Sequence, residues 1–349
     1  MSNKILKCAL IGCGYIADKH ITAFFDCPHT ELIALCDADP KRLKFMQEKY
    51  GVPYGYTSAE EMLTALPELD MVSVCVPNKY HAAVTIQCLE AGKHVLLEKP
   101  MAVSAEEART IIEAEKKAKG KLMIVQNQRF IPAAQIMKRM FDEGKFGEVY
   151  HIRTGWRRPL GMLPNPEGVW ENGESANRNW YNDKSACGGV LRDLGVHLLD
   201  LAMFITDFPK PVSASASGYR KFAPKTESGK RYELSSEDMV TALIKFENGM
   251  SIALEVSFCS FVSKEALFTN VYGTKCGAER DRDNLNIILP DDEYNFKVVE
   301  AAIEKEKQFK HCIHEFADAL VNGKEIPVKA TQALRVIEAL DMIYASMEE

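Results

Sequence analysis

Over the first 125 residues, short and nearly unbroken apolar runs alternate with amphipathic stretches, and this leaves few folds open. Ile5 to Ile11, Leu32 to Cys36, Met71 to Val76, Val95 to Leu97 and Leu122 to Val125 are apolar on both faces, the pattern of parallel strands covered from above and below. The stretches between them read as helices. Ser58-Ala59-Glu60-Glu61 and Ser104-Ala105-Glu106-Glu107 match the capping box, in which Ser and Glu satisfy the orphan amides of a helix start. Strand and helix in strict alternation predict a doubly wound α/β domain with a parallel sheet.

The texture changes near Glu148. Val149 to Trp156, Val212 to Gly218, Met239 to Phe246, Ser251 to Phe258 and Leu267 to Tyr272 are longer, with partial period-2 alternation. Asn248-Gly249 joins two of them as a hairpin, since both residues tolerate positive φ. This region predicts an α+β domain with an open, mostly antiparallel sheet. Two helices follow, Lys307 to Val321 and Thr331 to Met347. We therefore expect two domains, residues 1–125 and 126–349, with the C-terminal helix able to pack back on the first. A chain of 349 residues is long enough for two cores.

Composition narrows the classes. With 46% apolar and 26% charged residues the chain is globular, and its net charge of -6 argues against nucleic acid, whose binding needs a basic excess. No apolar run reaches the ~20 residues of a membrane span. The N-terminus lacks the apolar region and cleavage site of a signal peptide. Ten scattered cysteines without a C-x-x-C fit reduced thiols and a cytoplasmic location. His311-x-x-His314 lacks completing ligands, so no metal is expected.

The first strand ends in Gly12-Cys13-Gly14-Tyr15-Ile16-Ala17, a G-x-G-x-x-A turn that opens a helix. Its first Gly permits the tight turn, its second lets a pyrophosphate approach, and the helix start supplies amides and a positive dipole end. Asp37, at the tip of the second strand, suits the ribose diol and repels a 2′-phosphate, which favours NAD. Lys41 and Arg42 beyond it can hold that phosphate, so NADP is the alternative cofactor. The same turn also fits a nucleotide-free α/β domain. Lys99, in Glu98-Lys99-Pro100, stands at another strand's carboxyl end, where ligands bind, although a surface lysine at a strand exit reads the same way. Asp193 and His197, on a helix from Asp193 to Phe204, would share one face at i and i+4. A carboxylate beside an imidazole suits a general base. It also suits a dipole-favoured Asp and a core His.

Together, G-x-G-x-x-A, Pro77-Asn78-x-x-His81, Glu98-Lys99-Pro100 and Gly188-Gly189-x-x-x-Asp193-x-x-x-His197 resemble the glucose–fructose oxidoreductase/inositol dehydrogenase/rhizopine-catabolism (Gfo/Idh/MocA) family. The resemblance runs over nearly the whole chain. It implies an N-terminal Rossmann domain, a C-terminal substrate and oligomerisation domain, and a homodimer or homotetramer formed through the C-terminal sheet. It also implies hydride transfer between a nicotinamide and a sugar or polyol carbon. Lys99 and Asp193 would orient the reacting hydroxyl and His197 would take its proton. Gly12, Gly14, Tyr15, Ile16, Asp37, Pro77, Asn78, His81, Glu98, Lys99 and Asn127 would hold the cofactor. Arg129, Arg157, Trp180, Tyr181 and Lys184 would meet the substrate, the aromatics by stacking and the arginines by pairing. The long loop between Trp156 and Lys184 fits a subunit contact equally well. One departure concerns the turn before Asp193, where the family's third Gly falls at Cys187 or Val190. Another is Cys276, where a Gly is usual. Two further functions share this fold: an NAD-dependent glycosidase that oxidises a ring carbon transiently and then eliminates, and a non-catalytic nucleotide-sensing regulator.

Overall fold

The computed structural model describes residues 4–160, 184–222, 235–292, 295–303 and 308–348. They fall into two compact units, Met1–Asn127 with Lys307–Ile337, and Gln128–Glu306 with Glu338–Glu349.

In the first unit, β1 (Leu6–Ile11), β2 (Thr30–Cys36), β3 (Tyr54–Tyr56), β4 (Met71–Val74), β5 (His94–Leu97) and β6 (Leu122–Ile124) form one sheet in the order β3-β2-β1-β4-β5-β6. Every ladder is parallel. The order reverses at β1 and β4, so the crevice outside their carboxyl ends is the topological switch point where such sheets bind ligands. Helices α1 (Ala17–Asp26), α2 (Pro40–Tyr50), α3 (Ala59–Ala65), α4 (His81–Glu90) and α5 (Ala105–Lys117) connect the strands. Both expected capping boxes start helices: Ser58 Oγ accepts the Glu61 amide at 3.4 Å and Ser104 Oγ accepts that of Glu107 at 3.2 Å. β3 escapes a hydrophobic reading because Tyr54-Gly55-Tyr56 is a short edge strand with no buried residue.

In the second unit, α6 (Pro132–Asp142) leads into β7 (Val149–Pro159), then comes α7 (Val196–Ile205) and a run of seven strands. These are β8 (Pro211–Tyr219), β9 (Met239–Phe246), β10 (Ser251–Ser260), β11 (Ala266–Gly273), β12 (Gly277–Asp281), β13 (Asn284–Pro290) and β14 (Phe296–Glu300). The sheet order is β14-β13-β12-β11-β7-β10-β9-β8, and only β7 and β10 run parallel. β9 and β10 alternate buried and more exposed positions, so one face packs inward against α7 while the other stays open. Asn248-Gly249 makes the predicted hairpin, with Gly249 at φ +83. Strands β12 to β14 were missed: Gly-Ala-Glu-Arg-Asp and Phe-Lys-Val-Val-Glu are too charged to read as half-buried strands. The chain closes with α8 (Gln308–Asn322) and α9 (Ala330–Glu348). Among the described residues, no helix is long and apolar enough to cross a membrane.

Candidate active site

The glycine turn is shaped by two different constraints. Gly12 has φ +98, and a Cβ there would stand 2.5 Å from the Cys75 carbonyl oxygen, so only glycine fits. At Gly14 a Cβ would meet no protein atom within 4 Å. Among the described residues nothing stands over that position, and a pyrophosphate beside the start of α1 would fit there. Tyr15 is exposed and Ile16 half-buried on the same turn.

Asp37 anchors this turn. Its Oδ2 accepts the Cys13 amide at 2.6 Å and its Oδ1 accepts the Asp39 amide at 2.8 Å, while the side chain stays half-buried. Arg42 is turned inward: it is 3% exposed, and its Nε donates to the Cys13 carbonyl at 2.7 Å. Buried against the turn, Arg42 is badly placed to receive a 2′-phosphate, which weakens the NADP alternative. Asn127, just beyond β6, is 8% exposed, and among the described residues its Oδ1 has no hydrogen-bond partner. Such an orphan acceptor is what a donor on a bound ligand would satisfy. The first unit therefore fits a dinucleotide.

Lys99 sits half-buried where β5 ends, held on both flanks. Glu98 Oε2 accepts the Lys99 amide at 3.0 Å, and Glu98 Oε1 pairs with His20 Nε2 at 2.9 Å. His20 Nδ1 lies 2.9 Å from Ser73 Oγ. Burial pulls the His20 imidazole down, but Cys75 and Glu98 outweigh it and hold its pKa at about 10. Burial pushes the Glu98 carboxyl up, yet His20 and Lys99 bring it below its ordinary value. On the other flank His81 is 1% exposed, with Nδ1 2.6 Å from the Pro100 carbonyl and Nε2 2.9 Å from that of Val76. Burial lowers its pKa.

His81 and Glu98 were expected on the cofactor. Both are buried, with His81's two ring nitrogens and both Glu98 oxygens on protein partners, so they shape the turns that carry Val76-Pro77 and Lys99-Pro100. Pro77 precedes a short turn, Asn78–Tyr80, and Asn78 is buried at 6% exposure.

In the second unit the helix begins earlier than expected and in another form. Leu191–Gly195 is one turn of π-helix, closed by the Val196 amide on the Leu191 carbonyl, and α7 continues from it. Asp193 lies on the wide turn and His197 on the first α-turn, both half-buried. Their angular offset is therefore not that of an uninterrupted α-helix, which corrects the simple i, i+4 geometry. Single π-turns inside α-helices occur often at functional sites. Cys187, where a third glycine was missed, takes φ +59, a conformation suited to glycine.

The His197 ring lies 6.3 Å from that of Trp156, tilted by 49°. Trp156 Nε1 donates to Glu265 Oε1 at 2.6 Å, and the Arg158 guanidinium stands 4.8 Å from the indole centroid. The sequence marks Trp156 as the end of a strand and the start of the long loop; its partners Glu265 and His197 lie too far along the chain to be inferred. Arg157 pairs with Glu255 at 3.4 Å, and Lys184 is exposed. Arg129, expected at the substrate, is held inside the second unit. It is 1% exposed, forked onto Asp200 at 2.8 and 2.7 Å, and lies against the Phe204 and Phe208 rings. Its donors serve a buried ion pair. Trp180 and Tyr181 lie outside the described residues. Among the described residues, no group of three or more His, Cys, Asp or Glu could hold a metal ion.

Comparison with known proteins identifies the family. Residues 6–126 match the model of an oxidoreductase family with an NAD-binding Rossmann fold, and residues 134–279 match the GFO/IDH/MocA C-terminal domain. The chain is 32% identical over 285 residues to a D-glucoside 3-dehydrogenase of Escherichia coli K12, covering 80% of this chain and 78% of that one. It is 28% identical over 276 residues to a D-apiose dehydrogenase of Paraburkholderia graminis, covering 79% and 66%. Among solved structures, an oxidoreductase domain protein from Kribbella flavida superposes with a TM-score of 0.85 at 25% identity, covering 99% and 97%. A levoglucosan dehydrogenase in complex with NADH has the same fold, with a TM-score of 0.85 at 21% identity and the same coverage. The chain belongs to the Gfo/Idh/MocA oxidoreductase family. It is a dehydrogenase of CH–OH groups that uses NAD.

Proposed function

We propose that the enzyme oxidises a secondary hydroxyl of a sugar or glycoside to the ketone, or runs the reverse reaction. The observation that carries this reading is the half-buried carboxylate and imidazole of Asp193 and His197 presented at the start of one helix, in a chain whose other unit is built for NAD. NAD, when bound, supplies the acceptor for the hydride leaving the reacting carbon. Oxidation also releases the hydroxyl proton, and His197 is the group suited to take it. Lys99 and Asp193 orient that hydroxyl, as the family resemblance implies. Trp156, fixed by Glu265 and beside His197, offers an apolar surface of the kind that packs on a sugar ring.

The named relatives act on D-glucosides and D-apiose, which makes glycosides and aldoses the first compounds to test. The test is incubation of the purified enzyme with NAD and a panel of D-glucosides, D-glucose and polyols, following NADH by absorbance and products by mass spectrometry. A ketosugar with matching NADH supports the reading. Glycoside cleavage without accumulating NADH would replace it with oxidation followed by elimination. Absence of both across the panel would count against a sugar substrate.

A further inference from the structure

The turn that carries Asp193 is held from a distant part of the chain. Glu237 accepts the Val190 amide on its main-chain carbonyl at 3.1 Å, and its Oε1 accepts the Leu191 amide at 3.1 Å. The same oxygen accepts the Tyr344 hydroxyl at 2.9 Å, reaching from α9. Both orphan amides at the mouth of the π-turn are thus satisfied by one residue. Such donors must find a partner when they are withdrawn from water. The packing is tight: a Cβ at Gly189 would lie 2.3 Å from Glu237 Oε1, and Gly189 itself has φ +114. Arg192 completes the assembly, its guanidinium 4.2 Å from the Tyr344 ring centroid. All these residues belong to the second unit.

We propose that Glu237, seated by Tyr344, is a positioning residue that fixes the π-turn and so sets where Asp193 and His197 stand. This deepens the function proposed above and rests on it. A π-turn spends an extra residue per hydrogen-bonded ring, so it lasts only where its surroundings hold it. Glu237 holds its first two amides, and the Asp193 amide then bonds the Gly189 carbonyl at 3.1 Å. The carboxylate needs only its acceptor oxygen for this task. Glutamine, with a carbonyl in the same place, can do the same work; alanine cannot. Burial pushes the Glu237 carboxyl above its ordinary value, in keeping with a group chosen for geometry rather than for charge.

The experiment compares Glu237→Ala, Glu237→Gln and Tyr344→Phe by amide hydrogen exchange over residues 186–195, by NAD titration, and by kcat and KM on a sugar that the wild type oxidises. The alanine variant is expected to exchange faster in that segment and to lose about 10–100-fold in kcat, the scale of a misplaced catalytic group, with NAD affinity unchanged. Glutamine should restore protection and most of the turnover. Tyr344→Phe should lie between them. Wild-type exchange and turnover in Glu237→Ala would overturn the proposal. So would a glutamine variant that protects the amides yet is as slow as alanine, because the charge would then matter and not the anchor. If the alanine variant does not fold, Tyr344→Phe decides: unchanged exchange and unchanged kcat would overturn the proposal. The exchange measurement needs no substrate. A wild type that protects these amides but oxidises no sugar therefore counts against the proposed function and supports the anchor.

Discussion

His20 and Glu98 form an ion pair 2.9 Å long inside the first unit, with the two residues 1% and 6% exposed. The pair sits directly under Lys99, whose amide is held by the second Glu98 oxygen. Removing one member strands the other charge in the core, so Glu98→Gln should cost about 3–5 kcal/mol. The pH dependence has a defined sign. The folded-state pKa of His20 is raised to about 10, so its contribution is fully present below its ordinary 6.5 and is lost as pH rises through about 10. The Glu98 pKa is lowered, so its contribution is present above its ordinary value and is lost as pH falls through the folded one. Urea unfolding should show its plateau between the ordinary values of the two groups, 4.5 and 6.5, and a decline from there to about pH 10 that Glu98→Gln makes shallower while the Cys75 contribution remains.

The two glycines of the nucleotide turn should separate folding from binding. Gly12→Ala forces a Cβ against the Cys75 carbonyl at a positive φ, and should cost about 1–3 kcal/mol or more. Gly14→Ala meets no protein atom, so the melting temperature should hold while NAD affinity falls. Thermal melts with NAD titration distinguish the two. A Gly14→Ala protein that binds NAD normally would remove the pyrophosphate from this cradle.

Asp37 carries both anchoring and selectivity. Its replacement by alanine should reduce the preference for NAD over NADP by about tenfold, the worth of one charge-assisted hydrogen bond. It should also loosen the turn, since the Cys13 and Asp39 amides lose their acceptor. Fluorescence titration of both cofactors against wild type and variant measures the first effect. Equal or stronger wild-type affinity for NADP would overturn the selectivity given to Asp37 and point to Lys41 and Arg42.

The difference between what the sequence discloses and what it conceals follows from distance along the chain. The parallel strands, both capping boxes and the Asn248-Gly249 hairpin are local patterns, and each is legible within a few residues. The glycine turn and Asp37 are legible because the βαβ unit fixes their relation. The partners of these motifs are not: His20 with Glu98, Trp156 with Glu265, and Glu237 with Leu191 are contacts between segments that no periodicity links. The π-turn is hidden for another reason. Leu191-Arg192-Asp193-Leu194-Gly195 is as compatible with an α-helix, and only the clamp around it selects the wider turn. Arg129 shows the opposite hazard, an arginine beside a ligand motif that the fold spends on Asp200.

Cys187 tests whether that turn is strained. A non-glycine residue at φ +59 costs about 1–2 kcal/mol, while glycine adds back about 0.5–1 kcal/mol of chain entropy. Cys187→Gly should therefore leave stability unchanged or raise it by up to about 1.5 kcal/mol. Cys187→Val, β-branched and worse in this conformation, should lower it. Denaturant midpoints of the two variants give the comparison, and a stabilising valine would show that the backbone relaxes there.

The proton step gives the sharpest test of the active site. His197 stands on the first turn of α7 beside Trp156, in the unit other than the one that carries the glycine turn. His197→Ala should thus lower kcat by about 10²–10⁴-fold, the usual contribution of general base catalysis, and leave NAD affinity as it was. Trp156→Phe keeps an aromatic surface but loses the indole donor to Glu265, and should raise KM for the sugar more than it lowers kcat. On the proposed role of Lys99 in orienting the hydroxyl, Lys99→Ala should act on both. Steady-state kinetics of the three variants, with NAD binding measured separately, resolve these patterns. Near-normal turnover in His197→Ala would make the imidazole a packing partner of Trp156 and move the proton to Lys99.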